Sequence, residues 1–96
     1  MTKRTPRQQT KHNKEVQRLA DYYRGQGFRV EADIKGEDQP DAINHRRPDV
    51  VAKKGGKEII VEVETRETDA KDQSQHDAFK DYADRSKYRR FRKKVV

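Results

Sequence analysis

The sequence predicts an α/β domain whose elements run α-β-β-β-α-β, with a central mixed sheet flanked by helices. Three observations lead there. Apolar residues recur at helical spacing between Asn13 and Gly25, Phe28–Ile34 alternates apolar and polar, and two further apolar runs flank a Gly55-Gly56 turn.

Residues 1–11 are polar and basic around Pro6 and read as a disordered arm. The first helix starts at Asn13 as N-cap and stops at Gly25 and Gly27. Its buried face would carry Val16, Leu19, Ala20, Tyr22 and Tyr23, and both tyrosines fit a core better than a base-stacking platform. Phe28–Ile34 is a half-buried strand, and residues 35–46 form a polar loop with Gly36 and Pro40. Pro48–Ala52 is the second strand, residues 53–57 the hairpin turn, and Glu58–Glu64 the third strand. The unbroken Ile59-Ile60-Val61 places that strand centrally. Asp69 to about Ser86 is helical, with Ala78, Phe79, Tyr82 and Ala83 on one face, and Phe91–Val96 is a last strand. Residues 12–96 make a single domain without repeats.

A chain of 96 residues with 29% apolar and 43% charged residues builds a thin core, which favours a homodimer. Charge is unevenly placed. Residues 1–14 hold five Lys/Arg and no acid, residues 85–94 hold seven and no acid, and all seventeen acids fall in 15–84 against twelve Lys/Arg. An acidic centre between basic arms suits nucleic acid gripped by the arms and processed at a metal site. The backbone contacts expected are Lys3, Arg4, Arg7, Lys11 and Lys14, then Arg46 and Arg47, then Arg89, Arg90, Arg92, Lys93 and Lys94. Nothing in these segments reads base edges. Absence of cysteine excludes disulfides and thiolate metal sites. No signal-like or membrane-length apolar run occurs, and neither arm has the apolar face of a membrane helix, so a cytoplasmic protein is expected, nucleoid-associated if prokaryotic.

The chemistry concentrates in Arg47-Pro48-Asp49-Val50-Val51 and, thirteen residues after Asp49, in Glu62-Val63-Glu64. On the third strand Ile59, Val61 and Val63 share one face, and Ile60, Glu62, Glu64 and Arg66 the other. A hairpin centred on Gly55-Gly56 brings Asp49 beside Glu62. Carboxylates on the face of Ile60 are costly unless they reach solvent or bind a cation, and oxygen ligands suit Mg²⁺ or Mn²⁺. His12, His45 and His76 are scattered without ligand spacing, so no histidine metal site is expected.

These motifs, in this element order, resemble the PD-(D/E)xK, or restriction-endonuclease-like, nuclease superfamily, over about residues 12–96. In size and layout the chain is closest to archaeal Holliday-junction-resolvase-like members. The resemblance implies a minimal core of that fold and a metal-dependent DNA endonuclease, with branched DNA as a candidate substrate. Pro48-Asp49 matches the first element and Glu62-Val63-Glu64 the second, so Asp49, Glu62 and Glu64 would bind metal. Glu15 matches the helix glutamate of the resolvase-like branch, and Gln75 a glutamine of RecB-type members. Glu64 replaces the motif lysine, so it would act as ligand or base, and Arg66, Lys57 or Lys80 would supply the positive charge.

Plainer readings stand beside each residue. Asp49 after proline caps a turn. Glu62 and Glu64 line a solvated sheet face. Glu15 pairs with Lys11, Lys14 or Arg18 on a helix surface, and Gln75 is surface glutamine. A module that binds nucleic acid without cutting it, or an accessory subunit, is the corresponding alternative function.

Overall fold

The computed structural model describes residues 4–96, the Glu67 side chain excepted. Helix α1 spans Pro6–Gly25, followed by strands β1 (Arg29–Ala32), β2 (Val50–Lys54) and β3 (Lys57–Glu64). A one-turn helix α2 (Arg66–Asp69) and a 3-10 turn (Ala70–Asp72) lead into α3 (Gln73–Asp84), and strand β4 (Arg89–Val95) follows. The sheet order is β1-β2-β3-β4. The first three strands pair antiparallel and β4 joins β3 in parallel, which makes the sheet mixed and β3 internal as expected. Parallel neighbours need a crossover, and α2–α3 provides it over one face.

Helix α1 begins seven residues before the expected N-cap. Thr5 accepts from the Gln8 N–H at 3.2 Å, the Gln8 side chain accepts from the Thr5 N–H at 2.8 Å, and Pro6 occupies the first turn. This reciprocal cap and the preset proline φ outweigh the polar composition that suggested a disordered arm. Arg7 and Lys11 are therefore helical, Asn13 lies inside the helix, where it accepts from Gln9 at 2.8 Å, and Lys3 lies outside the described residues. The expected second helix opens with the 3-10 turn, and just before it, in α2 and at its N-cap, buried Thr68 and Thr65 bring their hydroxyls to 3.0 Å.

Period-two alternation splits the core into two layers. Val30, Ala32, Val50, Ala52, Val61 and Val63 face α1 and pack on Val16, Leu19, Ala20 and Tyr23. Val51 and Ile60 face the other way, onto Phe79, with Tyr82 and Phe91 at the margin. Tyr22 is 53% exposed rather than buried, because neighbours in a helix point about 100° apart and Tyr23 takes the inward direction. No helix among the described residues is long and apolar enough to cross a membrane.

Candidate active site

The β2–β3 register fixes the site. Val50 pairs with Val61, so Asp49, one residue before β2, stands opposite Glu62. The Asp49 N–H donates to Glu62 Oε1 at 2.9 Å, and Asp49 Oδ2 accepts from the Val63 N–H at 2.9 Å. Two strand-end groups thus exchange hydrogen bonds through their side chains and hold both carboxylates at one end of the sheet. Glu62 and Glu64 follow Ile60 on the α3 face and are 1% and 0% exposed, which rules out a solvated sheet face.

The buried acids are enclosed from α3 and the turn before it. Gln75 Nε2 donates to Glu62 Oε2 at 2.8 Å. His76 Nε2 lies 3.1 Å from Glu64 Oε1, while the Thr68 hydroxyl donates to Glu64 Oε2. Arg4 enters from the chain just before α1, its Nη2 3.3 Å from the Val63 carbonyl and 3.5 Å from Glu64 Oε2. From α1 itself, buried His12 brings Nε2 to 3.2 Å of Asp49 Oδ1, although the ring is not aligned for a hydrogen bond. Burial pulls the His12 pKa down, but the neighbouring Asp49 carboxylate and the Asn13 side chain together more than offset this and raise it.

These groups line a cleft of about 670 Å³. Its other walls include Arg46, Arg47, His45 and Lys71. Ile43 and Arg46 exchange backbone hydrogen bonds of 2.7 and 3.0 Å across a turn in which Asn44 and His45 have φ of 51° and 68°. That mirror-image turn places Arg46 and Arg47 on the cleft wall. A cavity of about 700 Å³ at the opposite, hairpin end of the sheet is lined by Arg29, Lys53, Lys54 and Lys57 but holds none of the carboxylates just described.

The electrostatics of Glu62 call for a cation. Burial, then the Asp49 charge, pushes its carboxyl from 4.5 up to about 9, with Glu64 adding a smaller push. Yet both of its oxygens accept hydrogen bonds, the pattern of an ionised carboxylate. A cation bound there would reconcile the two. Glu62, Glu64 and His76 each offer a ligand atom within 4.8 Å of the others, all three residues are buried, and His76 Nδ1 is buried without a partner. Carboxylate oxygens with an imidazole form a donor set that fits a divalent cation.

The expected residues are only partly assembled. Asp49, Glu62, Glu64 and Gln75 meet in the cleft, with Arg4, Arg46 and Arg47 on its walls. Glu15 does not join them. Arg18 Nε donates to it at 2.9 Å, and that guanidinium holds its carboxyl below the usual range. His12, about one turn earlier, is the α1 side chain that reaches Asp49. Arg66 is exposed at the start of α2 and Lys80 is exposed on α3, neither lining the cleft, while Lys57 lies at the hairpin end of the sheet. The histidines that spacing set aside supply two of the enclosing groups. On β4, Arg89 is engaged with Glu58 at 3.4 Å and the exposed Lys93 with Asp69 at 2.7 Å, while Arg90, Arg92 and Lys94 are exposed as well.

A family model described as REase_AHJR-like matches residues 4–89. The chain belongs to the REase_AHJR-like family. No curated protein matches it. As a restriction-endonuclease-like family, the REase_AHJR-like group points to nuclease activity and to use of a divalent metal, which agrees with the buried Glu62–Glu64–His76 group. The four-stranded mixed sheet between α1 and α3 is the minimal core of that fold.

Proposed function

We propose that this REase_AHJR-like protein is a metal-dependent endonuclease that hydrolyses phosphodiester bonds in DNA. The observation that carries this reading is the pair of fully buried acids, Glu62 and Glu64, beside Asp49 in a cleft walled by arginines. Glu62, Glu64 and His76 would hold Mg²⁺ or Mn²⁺, with Asp49 alongside. Bound there, such a cation would supply Lewis acidity, offsetting charge on the scissile phosphate and making water a stronger acid. Gln75 and the Asp49 N–H orient Glu62, and Thr68 and His76 orient Glu64. Arg46 and Arg47 receive the phosphate backbone at the cleft, while Arg7, Lys11, Lys14, Arg90, Arg92 and Lys94 extend the basic surface. A homodimer would present two clefts to one DNA molecule, and branched DNA is the substrate on which two clefts act together.

One observation favours a second reading. Both oxygens of Glu64, which the motif resemblance puts in the place of a lysine, are engaged by Thr68, His76 and Arg4. A module that binds DNA without cutting it would keep such a cluster as a structural tie. Cleavage of duplex, single-stranded, flap and four-way-junction DNA with Mn²⁺ or Mg²⁺, beside Asp49→Ala, separates the two. Metal-dependent cutting lost in Asp49→Ala supports the nuclease, whereas binding without cutting in both proteins supports the module.

A further inference from the structure

We infer that Arg4 is the cation that meets the scissile phosphate, taking over at the N-terminal side of the fold the positive charge that Glu64 cannot supply. The inference rests on the endonuclease reading and begins with charge. With a cation bound to ionise Glu62, Asp49, Glu62 and Glu64 would bring three negative charges to the cleft. One divalent cation leaves that set negative, and an incoming phosphodiester adds another negative charge that grows in the transition state. A fixed cation at the reacting phosphate is therefore required.

Among the described residues, four Lys/Arg side chains line the cleft: Arg4, Arg46, Arg47 and Lys71. Arg47 and Lys71 are exposed, and Arg47 Nη1 donates outward to Gln39 at 2.8 Å. Arg46 sits on the strained turn at the wall. Arg4 alone of the four is hydrogen-bonded to the acidic strand, through Nη2 to the Val63 carbonyl and Glu64 Oε2, with its side chain 16% exposed. Its Nε is buried with no hydrogen-bond partner. A buried guanidinium N–H that points nowhere is uncommon enough to need an explanation, and a phosphate oxygen is a matching acceptor.

The backbone is built to hold that side chain still. Thr5 closes a capping box with Gln8, and Pro6 fixes the first turn of α1. Arg4 thus leaves a rigid helix start rather than a loose tail, and such preorganisation is what makes a charge effective in a transition state. The competing role is structural, in which Arg4 only neutralises Glu64.

The test compares wild type, Arg4→Ala and Arg4→Lys in three measurements. Cleavage is read with Mn²⁺ at saturating DNA, DNA affinity with Ca²⁺ replacing Mn²⁺, and the rise in Tm on adding Mn²⁺ without DNA. The inference expects Arg4→Ala to lose about 100-fold or more in kcat, the cost of removing one preorganised donor, and to bind DNA more weakly. It expects the Mn²⁺-induced rise in Tm to be retained, and millimolar guanidinium to restore part of the rate. Arg4→Lys should recover charge but not the Nε contact, and fall between the two. Arg4→Ala cutting and binding within threefold of wild type overturns the inference while leaving the nuclease intact. Loss of the Mn²⁺ response in Arg4→Ala also overturns it, assigning Arg4 to the support of Glu64. A wild type that binds but never cuts refutes the nuclease reading and, with it, the catalytic role of Arg4; unchanged affinity in Arg4→Ala would then remove the phosphate contact as well.

Discussion

Glu62→Gln should make the metal-free protein more stable as pH rises, while removing its response to metal. Glu62 is 1% exposed, and burial with Asp49 beside it raises its carboxyl from 4.5 to about 9. Between those values the folded chain holds a proton that the unfolded chain has released. The stability from this group is complete below the unfolded value and falls as pH rises, until the folded carboxyl also ionises. The slope is about 1.4 kcal/mol per pH unit across that window. Glutamine has nearly the same shape and does not titrate. It keeps the acceptor for the Asp49 N–H, and Gln75 needs only to turn its amide to accept from the new NH₂. The difference in stability between variant and wild type should therefore grow in favour of glutamine by up to ~1.4 kcal/mol per pH unit, roughly 5–10 °C in Tm for a domain this small. The assay is thermal melting of both proteins in EDTA from pH 5 to pH 8.5. Millimolar Mn²⁺ should then raise the wild-type Tm, more at pH 8 than at pH 6, because only the ionised carboxylate is a ligand. The variant should gain little at any pH. Wild-type and variant melting curves that stay parallel across the pH range would refute the argument that Glu62 is a buried carboxyl awaiting a cation.

Three further outcomes follow from the geometry. Phe79, fully buried between α3 and the sheet, should cost ~3–5 kcal/mol when changed to alanine, which in so thin a core should leave little folded protein on chemical denaturation. His45→Gly should raise stability by ~0.5–1 kcal/mol by relieving a φ of 68°, while lowering DNA affinity if the turn serves to present Arg46 and Arg47, as denaturant titration and anisotropy would read. Glu15→Ala should leave cleavage near wild type because Glu15 is committed to Arg18, whereas His12→Ala should reduce it by removing the contact with Asp49. Equal losses in that pair of variants would restore the helix glutamate to the site.

Much of the fold was legible because each strand states its period. The alternation around Ile59, Ile60 and Val61, together with the Gly55-Gly56 turn, sets the face of Glu62 and the approach of Asp49, and the β2–β3 pairing has the register this requires. The sheet's strand order and the parallel return of β4 are tertiary facts that no local pattern states. The start of α1 is hidden for a different reason. Thr5, Pro6 and Gln8 form a capping signal inside a stretch whose polar, basic composition suggests a disordered arm, and that cap carries Arg4 to the acidic strand.

The histidines show where a motif search looks in the wrong coordinate. His12 and His76 are sixty-four residues apart, so no ligand spacing joins them. Each nevertheless sits on the inward stripe of its own helix, His12 in line with Val16, Leu19 and Tyr23, and His76 in line with Phe79 and Ala83. A titratable ring on a core stripe must find a polar partner inside the protein or lose its hydration uncompensated. The only strand expected to carry acids toward the interior was β3, flanked by Asp49. With α1 running from Pro6, helical phase turns both rings inward, and the structure places them 3.2 Å from Asp49 and 3.1 Å from Glu64. Reading a polar residue by the face it occupies, rather than by its distance along the chain from the next ligand, is what recovers these two groups. Arg4 differs: it has no periodicity of its own and becomes visible only once the cap at Thr5 is accepted as the start of α1.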